Sequence, residues 1–255
     1  MCHFSAFLPA AISVMLCLKT GSSFRSAPQS RSLFLKTMRA RMSVTPEMDY
    51  IPLGSSDLIV SKICLGTMTW GQQNTEAEGI EQMDVAFNEY GINFMDTAEM
   101  YPVPTKPETQ GKTDRIIAKW LKGRNRSKVV LASKVSGASE RITWLPGRNG
   151  DGARVSKKDI IVSVDESLKR LETDYIDLVQ IHWPDRYVPL FGGATYDQKL
   201  ERDYYSFEEQ LTALDDLIKA GKVRHGEHFL FLHPSFLQSC YYTSPSLIMI
   251  QPSNI

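Results

Sequence analysis

Cysteine is scarce in this chain, and long apolar runs are missing from it. The four cysteines among the 255 residues lie far apart, at Cys2, Cys17, Cys64 and Cys240. No two of them have the spacing of a zinc site or of a disulfide framework, so we expect no metal centre. The apolar run from Phe4 to Leu18 is too short for a typical membrane-spanning helix, and no span is expected in the mature chain.

Acidic residues are absent from residues 1–46, where the basic residues are Lys19, Arg25, Arg31, Lys36, Arg39 and Arg41. Basic and acidic residues both number 29 in the whole chain, so the part after residue 46 is acidic. A protein that binds nucleic acid needs a basic face to neutralise phosphates. We therefore expect no nucleic-acid partner.

Residues 1–46 have the composition of a targeting leader. An apolar stretch precedes one rich in Ser and Arg, an order typical of a signal-like segment followed by a transit peptide, and neither is expected to join the fold. The junction at residues 22–28 (SSFRSAP) is similar to the bipartite leaders of secondary plastids, in which a Phe follows the cleavage point. We predict import into a plastid. The alternatives are a mitochondrial leader, or a cytoplasmic protein that starts at Met42 or Met48.

Residues 47–224 alternate short β-rich runs with helical patterns, which indicates repeated βα units around a parallel sheet. A hairpin is predicted from 50–53 and 58–60, and strands follow at 63–65, 92–96, 129–134 and 176–182. Two helical faces are apolar, one at Ile80, Met83, Phe87 and Tyr90 and one at Ile160, Val164, Leu168 and Leu171. Residues with the properties of helix caps are Ser156, Ser206, Gly91, Gly123 and Gly221.

The pattern changes after the fourth strand. Residues 184–205 form a long polar and aromatic loop, and loops of that length in a compact domain are usually functional. Residues 225–255 contain one acidic residue and no Lys or Arg, and they show no helix or strand period. We therefore predict a leader over 1–46, a folded part over 47–224 and a divergent tail over 225–255.

Ionisable residues end three of the predicted strands: Asp96, Lys134 and His182. The carboxyl ends of parallel strands line the active-site face, so these side chains are expected to converge. Each of them alone could also be structural: Asp96 as a helix cap, Lys134 as a solvated strand end and His182 as a half-buried ring. Tyr101 lies in the loop that follows Asp96.

Two chemistries suit this set. A desolvated Lys134 could form a Schiff base with a carbonyl substrate. Alternatively, Lys134 could keep its charge, pair with Asp96 and lower the pKa of the Tyr101 phenol, which is ordinarily about 10, so that Tyr101 donates a proton.

The residues around these positions resemble the motifs of the aldo-keto reductase superfamily. The matching runs are 65–71 (LGTMTWG), 96–101 (DTAEMY), 132–134 (ASK) and 180–183 (QIHW). Two further runs, 98–104 (AEMYPVP) and 107–111 (PETQG), are similar to the Tas-type reductases in particular. The resemblance extends from about Met48 to Arg224.

The resemblance implies a (β/α)8 TIM barrel, present here as about its first four βα units, that reduces an aldehyde or ketone with NADPH. Tyr101 would protonate the carbonyl oxygen, Lys134 and Asp96 would tune Tyr101, and His182 would orient the carbonyl. Cofactor contacts near the nicotinamide would come from Gly66, Thr67, Met68 and Asp96. The missing Gly-x-Gly-x-x-Gly motif is no objection, because this family binds the dinucleotide on a barrel.

The family pattern stops at His225, before strands five to eight. The adenine and phosphate contacts of the family lie on those later strands, so we expect a truncated form with most of its cofactor site missing, and activity of this chain alone does not follow. A second class of function is a non-catalytic subunit that senses the cofactor, since the same fold serves in that role. A third is the Schiff-base lyase that uses Lys134. The particular carbonyl substrate and the oligomeric state are not predicted.

The leader generates the first testable prediction. Residues 1–46 fused to a fluorescent protein should direct it into an organelle, with the plastid expected because of the Phe24 junction and the acid-free composition. Fluorescence microscopy of cells that contain plastids measures this. Diffuse cytosolic fluorescence would contradict the prediction and favour an internal start.

Overall fold

The computed structural model describes residues 47–148, 150–190, 195–228 and 248–250, which belong to one unit, Glu47–Pro252. The predicted leader lies outside the described residues. The strands are β1 (Tyr50–Pro52), β2 (Ile59–Ser61), β3 (Ile63–Gly66), β4 (Phe94–Asp96), β5 (Val130–Val135), β6 (Ile176–Ile181), β7 (Val223–His228) and β8 (Ile248–Ile250). The α-helices are α1 (Glu76–Asp84), α2 (Lys112–Leu121), α3 (Lys157–Leu171) and α4 (Phe207–Lys219).

Six of these strands form one parallel sheet in the order β7-β6-β5-β4-β3-β8. One α-helix connects each consecutive pair from β3 to β7, as parallel neighbours require. A π-helical turn, Val85–Glu89, extends α1. Strands β1 and β2 pair as the predicted antiparallel hairpin, which the bond from Leu53 N to Leu58 O closes at 2.8 Å. The predicted βα architecture is therefore confirmed.

The predicted helix caps are also present. Ser156 accepts a hydrogen bond from Asp159 N at 3.1 Å, and Ser206 accepts one from Glu209 N at 3.2 Å. Each cap satisfies a backbone donor that has no partner within its helix. The Glu209 carboxylate bonds Lys157 N at 2.9 Å, so it ties the first turn of α4 to the first turn of α3.

Two segments differ from the sequence prediction. Strand β7 continues beyond Arg224 to His228, and Ile248–Ile250 pairs in parallel with β3 as β8. Residues 225–228 and 248–250 thus form strands although the sequence from 225 to 255 shows no strand period. The edges of β6 and β3 offer rows of unpaired backbone groups, and a short segment can pair with such an edge whatever its side-chain period.

The strands alternate their side chains between two apolar clusters, as a period of two requires. The side that faces the helices carries Met95, Leu131 and Val179, which pack with helix residues such as Ile117, Ile160 and Leu214. The other side carries Phe94, Val130 and Leu178, which pack with Leu58 and Val60 near the hairpin. Burial of each large apolar side chain stabilises the fold by about 1.5–3 kcal/mol.

The long loop after β6 is held at both ends by the buried carboxylate of Asp185. That carboxylate accepts two hydrogen bonds from Arg154, at 3.0 and 2.7 Å, and one each from Val155 N and Tyr205 N, at 2.9 and 3.0 Å. The contacts join the start and end of the loop to the connection between β5 and α3. Residues 191–194 of this loop lie outside the described residues.

Asp185→Asn should lower the free energy of unfolding by about 3 kcal/mol, because it leaves Arg154 without its charged partner and keeps only one oxygen acceptor. Urea unfolding measures the change. The matched control is Glu76→Gln, which removes one partner of the exposed Lys119–Glu76 pair and should cost less than about 1 kcal/mol. Equal losses in both variants would show that Asp185 does not anchor the loop.

Candidate active site

The carboxyl ends of β3, β4, β5 and β6 meet at one edge of the sheet. Gly66 lies opposite Asp96, and Lys134 lies opposite Gln180 in the register of the parallel pairs. His182 follows directly after β6, and its backbone N bonds Val135 O at 2.8 Å. The structure therefore brings together the predicted residues from three separate strands.

Asp96 and Lys134 form a buried ion pair. The Lys134 ammonium donates to Asp96 Oδ2 and, at 2.9 Å, to the carbonyl oxygen of Thr97. Burial alone would lower the pKa of Lys134, but the Asp96 carboxylate and the Tyr101 phenol outweigh it and hold that pKa above its ordinary value. Lys134 therefore remains an ammonium at neutral pH.

Tyr101 lies against this ion pair. Its side chain is buried, and the Lys134 ammonium is 5.1 Å from the centre of its ring. Hydrogen bonds from Tyr101 N to Ala98 O (3.0 Å) and from Gly111 N to Tyr101 O (2.9 Å) fix its backbone. Burial raises the pKa of the Tyr101 phenol, and the opposing charge of Lys134 does not cancel this. The prediction that the Lys134 ammonium lowers the pKa of Tyr101 is wrong for the net direction, because burial outweighs the effect of that charge.

His182 completes the group. Its ring centre is 5.9 Å from that of Tyr101, with an angle of 79° between the planes. Burial, helped by the charge of Lys134, lowers the pKa of His182 to about 3. The imidazole is therefore neutral at physiological pH, and it can take part in a hydrogen bond without adding a charge to the site.

The residues predicted to contact the nicotinamide lie at the same edge. Thr67 Oγ1 donates to the Asp96 carbonyl at 2.9 Å, and Met68 O accepts from Val103 N at 2.8 Å. Among the described residues, Asp96 Oδ1 and the Nδ1 atom of His182 are buried without a hydrogen-bond partner. Unpaired buried polar atoms are costly, and here they suit the polar end of a ligand.

A third apolar cluster lies above the ion pair. It consists of residues from the loops after β4, β5 and β6, among them Met100, Tyr101, Leu145 and Trp183, with Met68 and Leu190 packed against it. Trp183 Nε1 donates to Ala138 O at 2.9 Å. A Cβ atom at Gly137 would lie 2.0 Å from Trp183 O, so this contact requires glycine. The cluster keeps water away from the Tyr101 ring.

The sequence did not predict the role of Glu99, a buried charged residue that ties the loop from Asp96 to Tyr101 to the residue after β5. The buried Glu99 accepts a hydrogen bond from Ser136 N at 2.6 Å, and Arg148 lies 4.0 Å from the same oxygen. Arg148 also pairs with Asp159 at 2.6 Å. The available signal was a Glu between the apolar residues Ala98 and Met100, which indicates a buried partner but does not identify it.

The part of the chain that the structure describes contains no group of three or more His, Cys, Asp or Glu side chains placed to hold a metal ion. None of its helices is both long and apolar enough to cross a membrane.

The folded part of the sequence is similar to known oxidoreductases. The sequence model of the Aldo/keto reductase family matches residues 62–226. Protein tas of Escherichia coli (strain K12) is 44% identical over 184 residues, which cover 70% of this chain and 51% of that protein. Versiconal hemiacetal acetate reductase of Aspergillus parasiticus is 33% identical over 196 residues, covering 70% of this chain and 50% of that enzyme. The chain thus spans about half the length of the curated relatives it matches.

A solved structure is similar to the fold. A thermostable aldo-keto reductase in complex with the inhibitor epalrestat matches with a TM-score of 0.53 and 24% identity, covering 80% of this chain and 61% of that protein. At this identity the likeness shows the arrangement of strands and helices, and the site is argued from its own geometry.

The low pKa of His182 generates a prediction for stability. The His182 imidazole resists protonation in the folded state, whereas in the unfolded chain it binds a proton near pH 6.5. The stability that this neutral imidazole allows is therefore fully present above about pH 6.5 and is lost as the pH falls toward about 3. When the pH falls from about 7 to about 5, the free energy of unfolding should decrease in both proteins. The decrease should be smaller in His182→Gln than in the wild type, by up to about 2 kcal/mol. Urea unfolding at both pH values measures this.

A control for this comparison is the change between about pH 7 and about pH 8. His182 is neutral there in both the folded and the unfolded state, so the two proteins should respond alike. Equal losses of stability between pH 7 and pH 5 would show that His182 is not held in its neutral form.

Proposed function

The chain belongs to the aldo/keto reductase family, and we propose that its site is the proton-donating part of an NADP-dependent reductase for small aldehydes or ketones. The predicted resemblance and the predicted fold class, the (β/α)8 barrel family represented by its first βα units, are confirmed. The activity of the whole protein is a proposal, because this chain spans about half the length of the relatives.

The observation that carries the proposal is the contact of a buried, protonated phenol with a buried ammonium. A phenol with an ordinary pKa of about 10 is protonated at neutral pH, and burial raises the pKa of Tyr101 further, so Tyr101 has a proton to donate to the oxygen of a carbonyl substrate. The charge of Lys134 stabilises the phenolate that remains. Asp96 keeps Lys134 in place and balances its charge.

His182 supports this step as a neutral group. Its ring is close enough to Tyr101 for both side chains to approach one substrate oxygen. A neutral imidazole can orient and polarise the carbonyl, whereas an imidazolium would add a second positive charge beside Lys134.

NADPH is the cofactor that we propose, and when bound it supplies the hydride that reduces the carbonyl carbon. Gly66, Thr67, Met68 and Asp96 would hold its nicotinamide end. This proposal is supported by the position of Gly66 opposite Asp96 at the end of the sheet, by the bond from Thr67 to the Asp96 carbonyl and by the unpartnered Asp96 Oδ1. The apolar cluster above the ion pair excludes water from the reaction. The net change is a carbonyl converted into an alcohol, with the proton drawn from Tyr101.

The alternative Schiff-base chemistry is disfavoured by the state of Lys134. A lysine nucleophile must lose its proton, and Schiff-base lysines therefore have a lowered pKa. The Asp96 carboxylate raises the pKa of Lys134 instead.

For the location of the protein we propose a plastid, on the composition of residues 1–46 alone.

Tyr101→Phe should slow carbonyl reduction by about 100-fold or more, because it removes the proton donor, and it should leave the Kd for NADPH within a few-fold. The assay follows NADPH oxidation with small aldehydes and ketones. It uses the purified chain and a fusion that adds the second half of protein tas after residue 226, which restores the length of that relative. Tyr175→Phe is the control, since Tyr175 lies between Arg126 and Arg224 and away from the site.

Residual activity of Tyr101→Phe within a few-fold of the parent would refute its role as proton donor. NADPH binding without turnover of any carbonyl, in both the chain and the fusion, would favour the alternative of a cofactor-sensing subunit.

A further inference from the structure

Thr97 connects the active site to a second buried ion pair. It follows Asp96 directly and is fully buried, and its backbone N bonds Ala132 O at 2.9 Å. Its carbonyl oxygen accepts a hydrogen bond from the Lys134 ammonium at 2.9 Å, and its hydroxyl donates to Asp114 Oδ1 at 2.8 Å. One residue therefore contacts both Lys134 and a carboxylate that the reaction does not use.

Asp114 is held as firmly as Asp96. It is fully buried on α2, and its other oxygen accepts a hydrogen bond from Arg170 Nε of α3 at 2.9 Å. Arg170 also bonds Ser167 at 2.8 Å. A Cβ atom at Gly111 would lie 2.4 Å from Arg170 Cδ, so the backbone before α2 leaves space for the guanidinium only because that residue is glycine.

The position of this pair points beyond the stability of the two helices. A buried ion pair contributes little more to stability than well-packed apolar residues of the same volume would. A carboxylate fixed by a guanidinium does supply something that apolar residues cannot, which is a rigid acceptor for the Thr97 hydroxyl. The hydroxyl in turn fixes the peptide whose carbonyl faces Lys134.

We propose that Asp114, held by Arg170, is a positioning residue for Lys134 that acts through the hydroxyl and the carbonyl of Thr97. This inference rests on the proposed function, in which Lys134 supports proton donation by Tyr101. The pair thereby connects the packing of α2 against α3 to the placement of the ammonium at the strand ends.

The experiment measures the titration of Lys134 directly by NMR of the purified chain with isotope-labelled lysine side chains, and Lys134→Met identifies its signal. Thr97→Val removes the hydroxyl and keeps the shape of the side chain, whereas Thr97→Ser keeps the hydroxyl. Thr113→Val is the matched control, because Thr113 is also buried beside Asp114 but its hydroxyl bonds Trp70 O at 2.8 Å.

The charged and titratable groups that act on Lys134 are otherwise unchanged by these variants. Asp96 and Tyr101 act on it directly, and Cys64 and His182 are coupled to its charge. Thr97→Val should lower the titration midpoint of Lys134 by about half a pH unit or more, because the ammonium loses a well-placed acceptor. Thr97→Ser and Thr113→Val should keep the midpoint of the wild type.

An unchanged midpoint in folded Thr97→Val would overturn the proposal. So would an equal shift in Thr113→Val, which would mean that any lost buried hydroxyl disturbs Lys134. Asp114→Asn provides a second variant and should shift the midpoint in the same direction as Thr97→Val. The titration requires no turnover, so these shifts, together with no carbonyl reduction by either the chain or the fusion, would refute the proposed reductase and leave the positioning role supported.

Discussion

The site depends on one buried pair of charges, Asp96 and Lys134. Neither charge could be buried alone, because removal of a single ion from water costs several kcal/mol. The pair requires β4 and β5 to be parallel neighbours in one register, in which Asp96 lies opposite Ala132. Lys134 is two residues further along β5 and so points to the same side of the sheet as Ala132. The register of the sheet therefore determines whether the Asp96–Lys134 pair can form at its edge.

Tyr101 and His182 take their protonation properties from this pair and from their burial. The loop that follows β4 returns Tyr101 to the ammonium, where burial raises the pKa of the phenol and the positive charge opposes that effect only in part. For His182 burial and the ammonium act together, so the imidazole stays neutral. The ammonium thus lowers the pKa of Tyr101 against the effect of burial, and it lowers the pKa of His182 in addition to the larger effect of burial.

Much of the fold and the meeting of Asp96, Lys134 and His182 at one edge could be predicted from the sequence, because the signals are local. Apolar runs that end in Asp96, Lys134 and His182 identify both the strands and their active edge. The Thr97, Asp114 and Arg170 contacts join residues 17 and 56 positions apart, and no periodicity connects them. Strand β8 has three residues, too few for a pattern. The direction of the Tyr101 pKa shift required its burial, which a list of neighbouring charges does not give.

The titration of the Tyr101 phenol tests the central claim most directly. The signal of Tyr101 is the difference in tyrosinate absorbance between the protein and its Tyr101→Phe variant, measured with Lys134 present and in a Lys134→Met background. If the buried ammonium opposes the effect of burial, the titration midpoint of Tyr101 rises when Lys134 is replaced. A midpoint that stays the same or falls would contradict the claim that the Asp96–Lys134 pair controls the proton on Tyr101.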